Sequence, residues 1–350
     1  MKKLVFSVFA MCVMFFAGCG DDDTEIENGT ERHPFVINTA AQLLQLAEEV
    51  NGGDKKEGVY YKLGGDIDLS QYDENYNDGK GWQPIWDFRG VFDGKGKKIR
   101  GLYINNSADG CGLFGAVQNG KVKNLGLEDV NIKGSWYVGA VVGWLAGIYS
   151  GDNIVENCYS TGKISGFDYV GGVVGRVQTG RVKNCYSTCE VSGSVRSGGV
   201  VGTITGGRIV NCYSTGVVNG GNNSVGGIVD VLGGNSSMSR CAALNPSVSG
   251  DENVGRVAGV TLSSLSGNIA WNGMEVIVVT SPKEDVGNTG WHIDGQGMDK
   301  AEISAPGFFK NLFTFDEGEK DPWTYDNTGK LPGLFGKVCE WEMFNYNDFF

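Results

Sequence analysis

Three tyrosines occupy the same position in successive repeats of the chain: Tyr159, Tyr186 and Tyr213. A phenol ring offers a flat apolar face and a hydroxyl tip at low entropy cost, which suits a sugar ring or a partner protein. If the repeats stack, the three rings form an outward-facing column about 10 Å long. Two interpretations are open: a ligand-binding column, or an aromatic stack that only stabilises the repeats.

Carboxylates that could form a catalytic pair are few. Asp66 and Asp68 are the closest local pair, and their setting in Gly-Gly-Asp-Ile-Asp-Leu-Ser indicates a structural element. No acid recurs at the repeat position that reads Lys123, Glu156, Lys183 and Val210. The leading alternative to binding is a polysaccharide lyase or glycoside hydrolase with an irregular site near residues 230–270, where the repeat decays.

Histidine-dependent chemistry has little support. The two histidines, His33 and His292, are far apart and have no cysteine or carboxylate at ligand spacing. A serine or cysteine nucleophile would also need a nearby histidine base. We therefore expect no catalytic residues, no metal and no cofactor.

Cysteines recur at one repeat position. Of nine cysteines, Cys12 lies in the apolar leader and Cys19 directly follows it, which leaves seven. Four of these share a position: Cys158, Cys185, Cys212 and Cys241. In stacked coils their Cα atoms would lie about 4.8 Å apart, but their parallel Cβ vectors would strain a disulfide. We predict a buried ladder of free thiols, with a metal column or redox relay as the alternative.

An internal repeat positions these residues. A glycine-flanked apolar block ends at residues 115, 143, 175, 202, 230 and 259, so its steps are 28, 32, 27, 28 and 29 residues. A second block keeps pace with it at residues 122–125, 155–161, 182–188 and 209–215. The apolar residues within each unit do not follow a helical period. A unit this short cannot bury its apolar face alone, so the units must stack.

Stacking one unit per coil predicts a parallel β-solenoid of roughly seven coils, a rod on the order of 30 Å long. An asparagine makes the bend in each coil, because Asn tolerates the left-handed backbone region. Its side-chain amide would pair with the asparagines above and below it. The predicted ladder comprises Asn124, Asn157, Asn184 and Asn211.

The alternation of Gly-Gly-Val-Val-Gly with Val-Lys-Asn-Cys-Tyr-Ser-Thr resembles GLUG repeats, found in bacterial surface proteins and beside peptidase domains of immunoglobulin A proteases. Together with upstream segments similar to those of surface lipoproteins of gut Bacteroidota, the similarity runs from about Phe35 to Trp271. It implies an all-β fold, a right-handed single-stranded parallel β-helix. It implies an adhesin-like protein without a particular activity, and the His-Glu-x-x-His zinc motif of the peptidase is absent from the sequence.

The first residues are predicted to form a targeting segment. A basic start at Lys2 and Lys3 precedes an apolar run too short to span a bilayer comfortably. Residues 16–19 resemble a bacterial lipobox, which implies a signal peptide over residues 1–18 and lipid on Cys19. The acidic stretch after Cys19 resembles the tag that sends Bacteroidota lipoproteins to the outer face of the outer membrane, and residues 19–34 are interpreted as a tether.

The rest of the chain divides by pattern. Residues 35–110 are expected to hold an N-terminal capping helix and the first coils, because apolar positions recur at helical spacing over residues 39–50 with Asn38 or Thr39 as N-cap. Residues 111–271 hold the repeats. Residues 272–350 lose the repeat, are rich in aromatic residues and are predicted to form the C-terminal cap.

The net charge of the chain limits which kinds of partner it can bind. A formal net charge of −12 without a Lys/Arg-rich run disfavours nucleic acid. The sequence therefore predicts a lipid-anchored cell-surface protein that binds a glycan, or a host or neighbour-cell protein, through a repeated face. A passive surface spacer is a further alternative.

Overall fold

The structure is a computed structural model that describes residues 27–147, 153–279, 294–326, 328 and 330–341. The predicted signal peptide, the predicted lipidation site Cys19, the start of the predicted tether and His292 lie outside the described residues. Within the described ranges, no helix is long and apolar enough to cross a membrane.

Strands dominate the described residues, which also contain three helices, one before the second strand and two in the C-terminal part. The strands are β1 (Phe35–Ile37), β2 (Tyr60–Leu63), β3 (Ile67–Asp68), β4 (Val91–Arg100), β5 (Tyr103–Asn105), β6 (Phe114–Gln118), β7 (Lys121–Lys133), β8 (Trp136–Gly139), β9 (Val142–Ala146), β10 (Ile154–Gly166), β11 (Asp168–Gly171), β12 (Val174–Val177), β13 (Gly180–Lys183), β14 (Tyr186–Ser187), β15 (Glu190–Gly193), β16 (Ser197–Gly198), β17 (Val201–Val210), β18 (Tyr213–Ser214), β19 (Val218–Asn219), β20 (Val225–Gly226), β21 (Val229–Ser239), β22 (Ala242–Ala243), β23 (Ser247–Gly250), β24 (Val254–Gly255), β25 (Ala258–Thr261), β26 (Ser264–Ser266), β27 (Ile269–Trp271), β28 (Glu275–Val278), β29 (Gln296–Met298), β30 (Trp323–Thr324) and β31 (Gly333–Leu334). The helices are α1 (Ala40–Asn51), α2 (Lys300–Ile303) and α3 (Phe308–Leu312).

The chain winds as a parallel β-solenoid, as the repeats predicted. The register places Val122, Val155 and Val182 directly above one another. Nine strands pair in one continuous parallel ladder: β1, β2, β4, β7, β10, β13, β17, β21 and β26. The solenoid is thus longer than the seven coils expected, because β1 and β2 add coils ahead of the first recognisable repeat block.

The glycine-flanked blocks mark a corner of each coil. There β8, β11, β16, β20 and β24 form a second, five-stranded parallel sheet. A β-carbon built on Gly202 would collide with the carbonyl oxygen of Gly175 in the preceding coil. Glycine recurs at this position because neighbouring backbones approach too closely for a side chain.

The asparagine ladder is confirmed. Asn157, Asn184 and Asn211 have φ of 52°, 53° and 52°, in the left-handed region. The Asn157 amide donates to Asn124 Oδ1 at 2.8 Å, and each later asparagine donates to the one before it at 3.1 Å. Asp93 ends the ladder by accepting a 2.8 Å hydrogen bond from Asn124 Nδ2. The ladder fixes where these four coils turn and couples each of their turns to the next.

The four cysteines of the predicted ladder stand in one buried column, with Leu125 in the same position one coil earlier. The sulfurs of Cys158, Cys185 and Cys212 each lie 3.2 Å from the carbonyl oxygen two residues back. All four, Cys241 included, are free thiols. Burial raises the pKa of the Cys185 thiol well above its usual value, so this thiol packs as a small apolar group.

The predicted N-terminal helix is present as α1. Thr39 is its N-cap and forms a capping box with Gln42. Leu43, Leu46 and Val50 are buried against the first coils.

The C-terminal segment, residues 294–341, extends the solenoid and also packs along its side. Strand β29 pairs with β27 and so extends the last coils. The chain after β29 then runs back along the side of the solenoid, where Lys183 of an inner coil pairs with Glu319 at 2.7 Å and Asn211 donates to the Thr314 carbonyl at 3.0 Å. The segment predicted as an end cap therefore also covers a lateral face.

Replacing Asn184 tests the ladder. Asn184→Ala removes the two side-chain hydrogen bonds of Asn184, and alanine is strained in the left-handed region because of its β-carbon. We therefore expect the free energy of unfolding to fall by about 3 kcal/mol. Asn184→Gly loses the same hydrogen bonds without backbone strain, so its loss should be smaller, about 2 kcal/mol. Urea denaturation of the two variants measures both. A glycine variant no more stable than the alanine variant would contradict the assigned geometry.

Candidate functional site

The predicted tyrosine column exists. The rings of Tyr159 and Tyr186 lie 5.0 Å apart with 5° between their planes, and those of Tyr186 and Tyr213 lie 4.9 Å apart with 2° between them. The parallel register of β10, β14 and β18 places each ring above the next. The rings leave the solenoid on its outer side, as expected.

The prediction that this column faces solvent is wrong. Tyr159 and Tyr186 are 6% exposed and Tyr213 is fully buried. Trp323 packs 5.7 Å from the Tyr213 ring, and the Tyr213 hydroxyl donates to the Pro332 carbonyl at 2.7 Å. The aromatic residues of the C-terminal segment cover the column because the two apolar surfaces bury each other. The tyrosine faces therefore serve packing and are not open to a ligand.

A cleft of about 1030 Å³ opens beside the column. One wall is the solenoid, where Thr161, Thr188 and Thr215 occupy equivalent positions in three coils, and the other is residues 337–340 of the C-terminal segment. The edges of Tyr159 and Tyr186 form part of the lining. This volume is in the range of small-molecule and oligomer sites in proteins.

One carboxylate at the cleft is held in its charged form. Glu128 pairs with Lys98 at 2.8 Å and with Arg100 at 3.2 Å, and it accepts a 2.8 Å hydrogen bond from the Tyr159 hydroxyl. Burial alone would raise the pKa of Glu128, but the Lys98 and Tyr159 hydrogen bonds outweigh it and lower that pKa below its usual value. Glu128 is therefore a fixed negative charge at neutral pH.

The rest of the cleft mixes both signs of charge. Lys163 and Glu190, on adjacent coils, pair at 3.2 Å and keep much of their side chains exposed. Lys337 and Glu340 contribute from the opposite wall. With the threonine hydroxyls, the lining offers donors and acceptors along the solenoid axis, which suits a polar ligand that spans several coils.

The other candidate catalytic residues have structural partners. Asp66 accepts a 3.0 Å hydrogen bond from the Lys98 backbone amide. Asp68 accepts one of 2.8 Å from the Ser70 amide, and the Ser70 hydrogen bonds lower the pKa of Asp68. Across the described ranges, histidines, cysteines and carboxylates nowhere gather in a group of three or more that could hold a metal ion.

Sequence reasoning missed a cluster of aromatic and arginine side chains on other strands. Trp136, Phe167 and Tyr169 lie together where β8 and β11 begin, and Trp136 and Phe167 are partly exposed. The available signal was the pair of aromatic-rich segments, 136–137 and 167–169, at the same point of adjacent repeats.

Comparison with known proteins supports the fold and the repeat. Residues 168–192 match the model of the GLUG motif. Over 159 residues the chain is 32% identical to halomucin of Haloquadratum walsbyi; the match covers 43% of this chain and about 2% of the length of halomucin.

A solved structure from Bacteroides ovatus, described as a candidate immunoglobulin A1 protease, superposes with a TM-score of 0.68. That match covers 88% of this chain and 94% of the other, at 23% sequence identity, and so supports the fold alone. The chain is a parallel β-solenoid built from GLUG-type repeats, a construction that fits a surface protein.

The buried tyrosine column makes a matched pair of variants informative. Tyr213→Phe leaves the Pro332 carbonyl without its donor inside the packed segment, so we expect a loss of about 1–2 kcal/mol of unfolding free energy. Tyr186→Phe should cost less than about 0.5 kcal/mol, because water in the cleft can replace that hydroxyl. Denaturant unfolding compares them. Equal losses would contradict the docking of the C-terminal segment on Tyr213.

Proposed function

We propose that this protein is a lipid-anchored cell-surface binding protein that holds a glycan or protein ligand in the cleft beside the tyrosine column. The proposal moves the binding site predicted from the sequence from the faces of the tyrosines to the groove next to them. It keeps the repeated face of the solenoid as the recognition surface.

The observation that carries the proposal is the stacked threonine column. Because Thr161, Thr188 and Thr215 repeat with the coil spacing of about 4.8 Å, they line one wall of the cleft as an evenly spaced row of polar side chains. An extended polymer can pair with such a row at several points, and the weak contacts add. A wall formed by irregular loops would not offer this repetition.

Binding without catalysis fits the charges described above. A glycoside hydrolase needs a carboxylic acid that donates a proton to the leaving group. Glu128 is unsuited to that role, because its hydrogen bonds from Lys98 and Tyr159 lower its pKa and keep it ionised. The proposal therefore assigns no catalytic residue, and product formation is an outcome that the test must be able to detect.

Blocking the cleft tests this proposal. The full chain is applied to arrays of glycans and extracellular-matrix proteins, and each captured glycan is assayed for cleavage. Thr188→Arg fills the cleft, so we expect its affinity for any captured ligand to fall at least about tenfold, or 1.4 kcal/mol. Thr205→Arg is the matched control, because Thr205 is an exposed threonine on β17 outside the cleft.

Three results would overturn the proposal. Equal binding by Thr188→Arg and Thr205→Arg would place the ligand elsewhere. Cleavage of a captured glycan would make the protein a carbohydrate-active enzyme. A blank array would favour a passive surface spacer.

The lipid anchor is tested at Cys19. Metabolic labelling with a fatty acid should modify the wild-type chain, and Cys19→Ser should abolish the label and release the protein from outer-membrane fractions. Protease added to intact cells should degrade the wild-type chain if it is displayed on the surface. Unlabelled wild-type protein would contradict the anchor without bearing on the cleft.

A further inference from the structure

An aromatic patch lies outside the cleft, on β8, β9 and β11 and at the residue that joins β10 to β11. It consists of Trp136, Tyr137, Trp144, Phe167 and Tyr169. Ring centroids of Trp136 lie 5.8 Å from those of Phe167 and Tyr169, and Tyr137 stacks on Trp144 at 5.6 Å. Trp136 is 36% exposed and Phe167 48%, so two rings of the patch present apolar surface to solvent.

The backbone does not require aromatic residues at this corner. Tyr137 and Tyr169 have φ of 58° and 55°, a region unfavourable for bulky side chains. Asn253 occupies the equivalent position of a later coil with φ of 48°, and asparagine adopts this conformation more readily. Two tyrosines kept at a conformational cost point to a use for their rings.

Arg176 lies among these rings with its charge uncompensated. Its guanidinium carbon is 5.4 Å from the Tyr137 ring centroid and 5.3 Å from that of Tyr169, and its Nη1 donates to the Tyr137 hydroxyl at 3.2 Å. Among the described residues, no carboxylate lies within ion-pair distance of Arg176, and its Nε is buried without an acceptor. The indole nitrogen of Trp144 is likewise buried without an acceptor.

The neighbouring charges cancel. Arg196, over the Tyr169 ring at 3.8 Å, forms a two-pronged ion pair with the buried Asp168. Asp230 accepts hydrogen bonds from Ser224 and Thr203, and burial raises its pKa to about 8, so it is mostly uncharged at pH 7. The net local charge is therefore that of Arg176, in a chain whose overall charge is −12.

We propose that the aromatic patch binds an acidic sugar, a pyranose ring that carries a carboxylate. The apolar face of the sugar stacks on Trp136 and Phe167, and the carboxylate pairs with Arg176. A neutral sugar would leave Arg176 without its counterion, whereas a purely anionic group would leave the exposed rings unused. The patch and the cleft share no residue, so this inference stands apart from the proposed function.

Calorimetric titration of the full chain tests the proposal with two acidic probes, tetragalacturonate and 3′-sialyllactose, each beside its carboxyl methyl ester. We expect at least one acid to bind, with at least about tenfold weaker binding of its ester. Binding of the uronate or of the sialoside identifies which source of acidic sugar the patch accepts. Quenching of tryptophan fluorescence reports the same event through Trp136.

Matched variants locate the site. Trp136→Ala and Phe167→Ala should each weaken binding of the acid about tenfold or more, whereas Trp86→Ala, which removes an equally exposed tryptophan outside the patch, should not. Arg176→Gln should weaken binding of the acid and leave the weak binding of the ester unchanged. Thermal melts confirm that each variant is folded.

Several outcomes would overturn the inference: neither acid binds the wild-type chain, acid and ester bind equally, or Trp136→Ala behaves like Trp86→Ala. Thr188→Arg separates the two proposals. It should leave binding of the acidic sugar intact, and loss of that binding in Thr188→Arg would move the sugar to the cleft.

Discussion

The rest of the structure depends on a left-handed turn that recurs at one position of the coil, which asparagine occupies in four successive coils and Arg240 and Gly267 occupy in the next two. Because Asn184 donates to Asn157 and accepts from Asn211, each turn is fixed by the turns on either side. The chain then leaves every corner in the same direction, and equivalent residues fall into register. The cysteine, tyrosine and threonine columns follow from this register, since one repeated residue becomes one continuous row. A solenoid of this kind creates surfaces by repetition, so a site can extend over several coils without any long loop.

The non-repeating C-terminal segment decides which of these rows remain accessible. Its aromatic residues cover the tyrosines, and Tyr213 alone among the three also gives its hydroxyl to this segment. Beside the covered rings, the segment leaves the cleft that the threonine row lines. On other strands, the rings around Trp136 remain uncovered by described residues. The face with the threonine row thereby becomes a cleft with two walls, whereas the aromatic patch around Trp136 stays exposed on another face.

The repeat made most of the solenoid predictable from the sequence. The recurring asparagine predicts the bend and the recurring cysteine after it predicts the buried column, because residues at the same position of successive repeats stack on one another. The exposure of the tyrosines was not predictable in this way. It depends on Trp323 and Pro332, more than a hundred residues away in a segment without repeats, and local patterns carry no information about such docking. The aromatic patch was missed for a related reason: it draws Arg176 from one strand and Trp136 from another, and the charge of Arg176 matters only once its neighbours are known.

Hydroxyl-radical footprinting of the full native chain measures side-chain accessibility and so tests the central claim, that the C-terminal segment covers the tyrosine column while the aromatic patch stays open. The account predicts that Trp136 and Phe167 are modified rapidly, whereas Tyr159, Tyr186 and Tyr213 are protected until the protein unfolds. Modification of the three tyrosines at the rate of Trp136 would contradict it. That result would return the exposed tyrosine column to consideration as the binding surface.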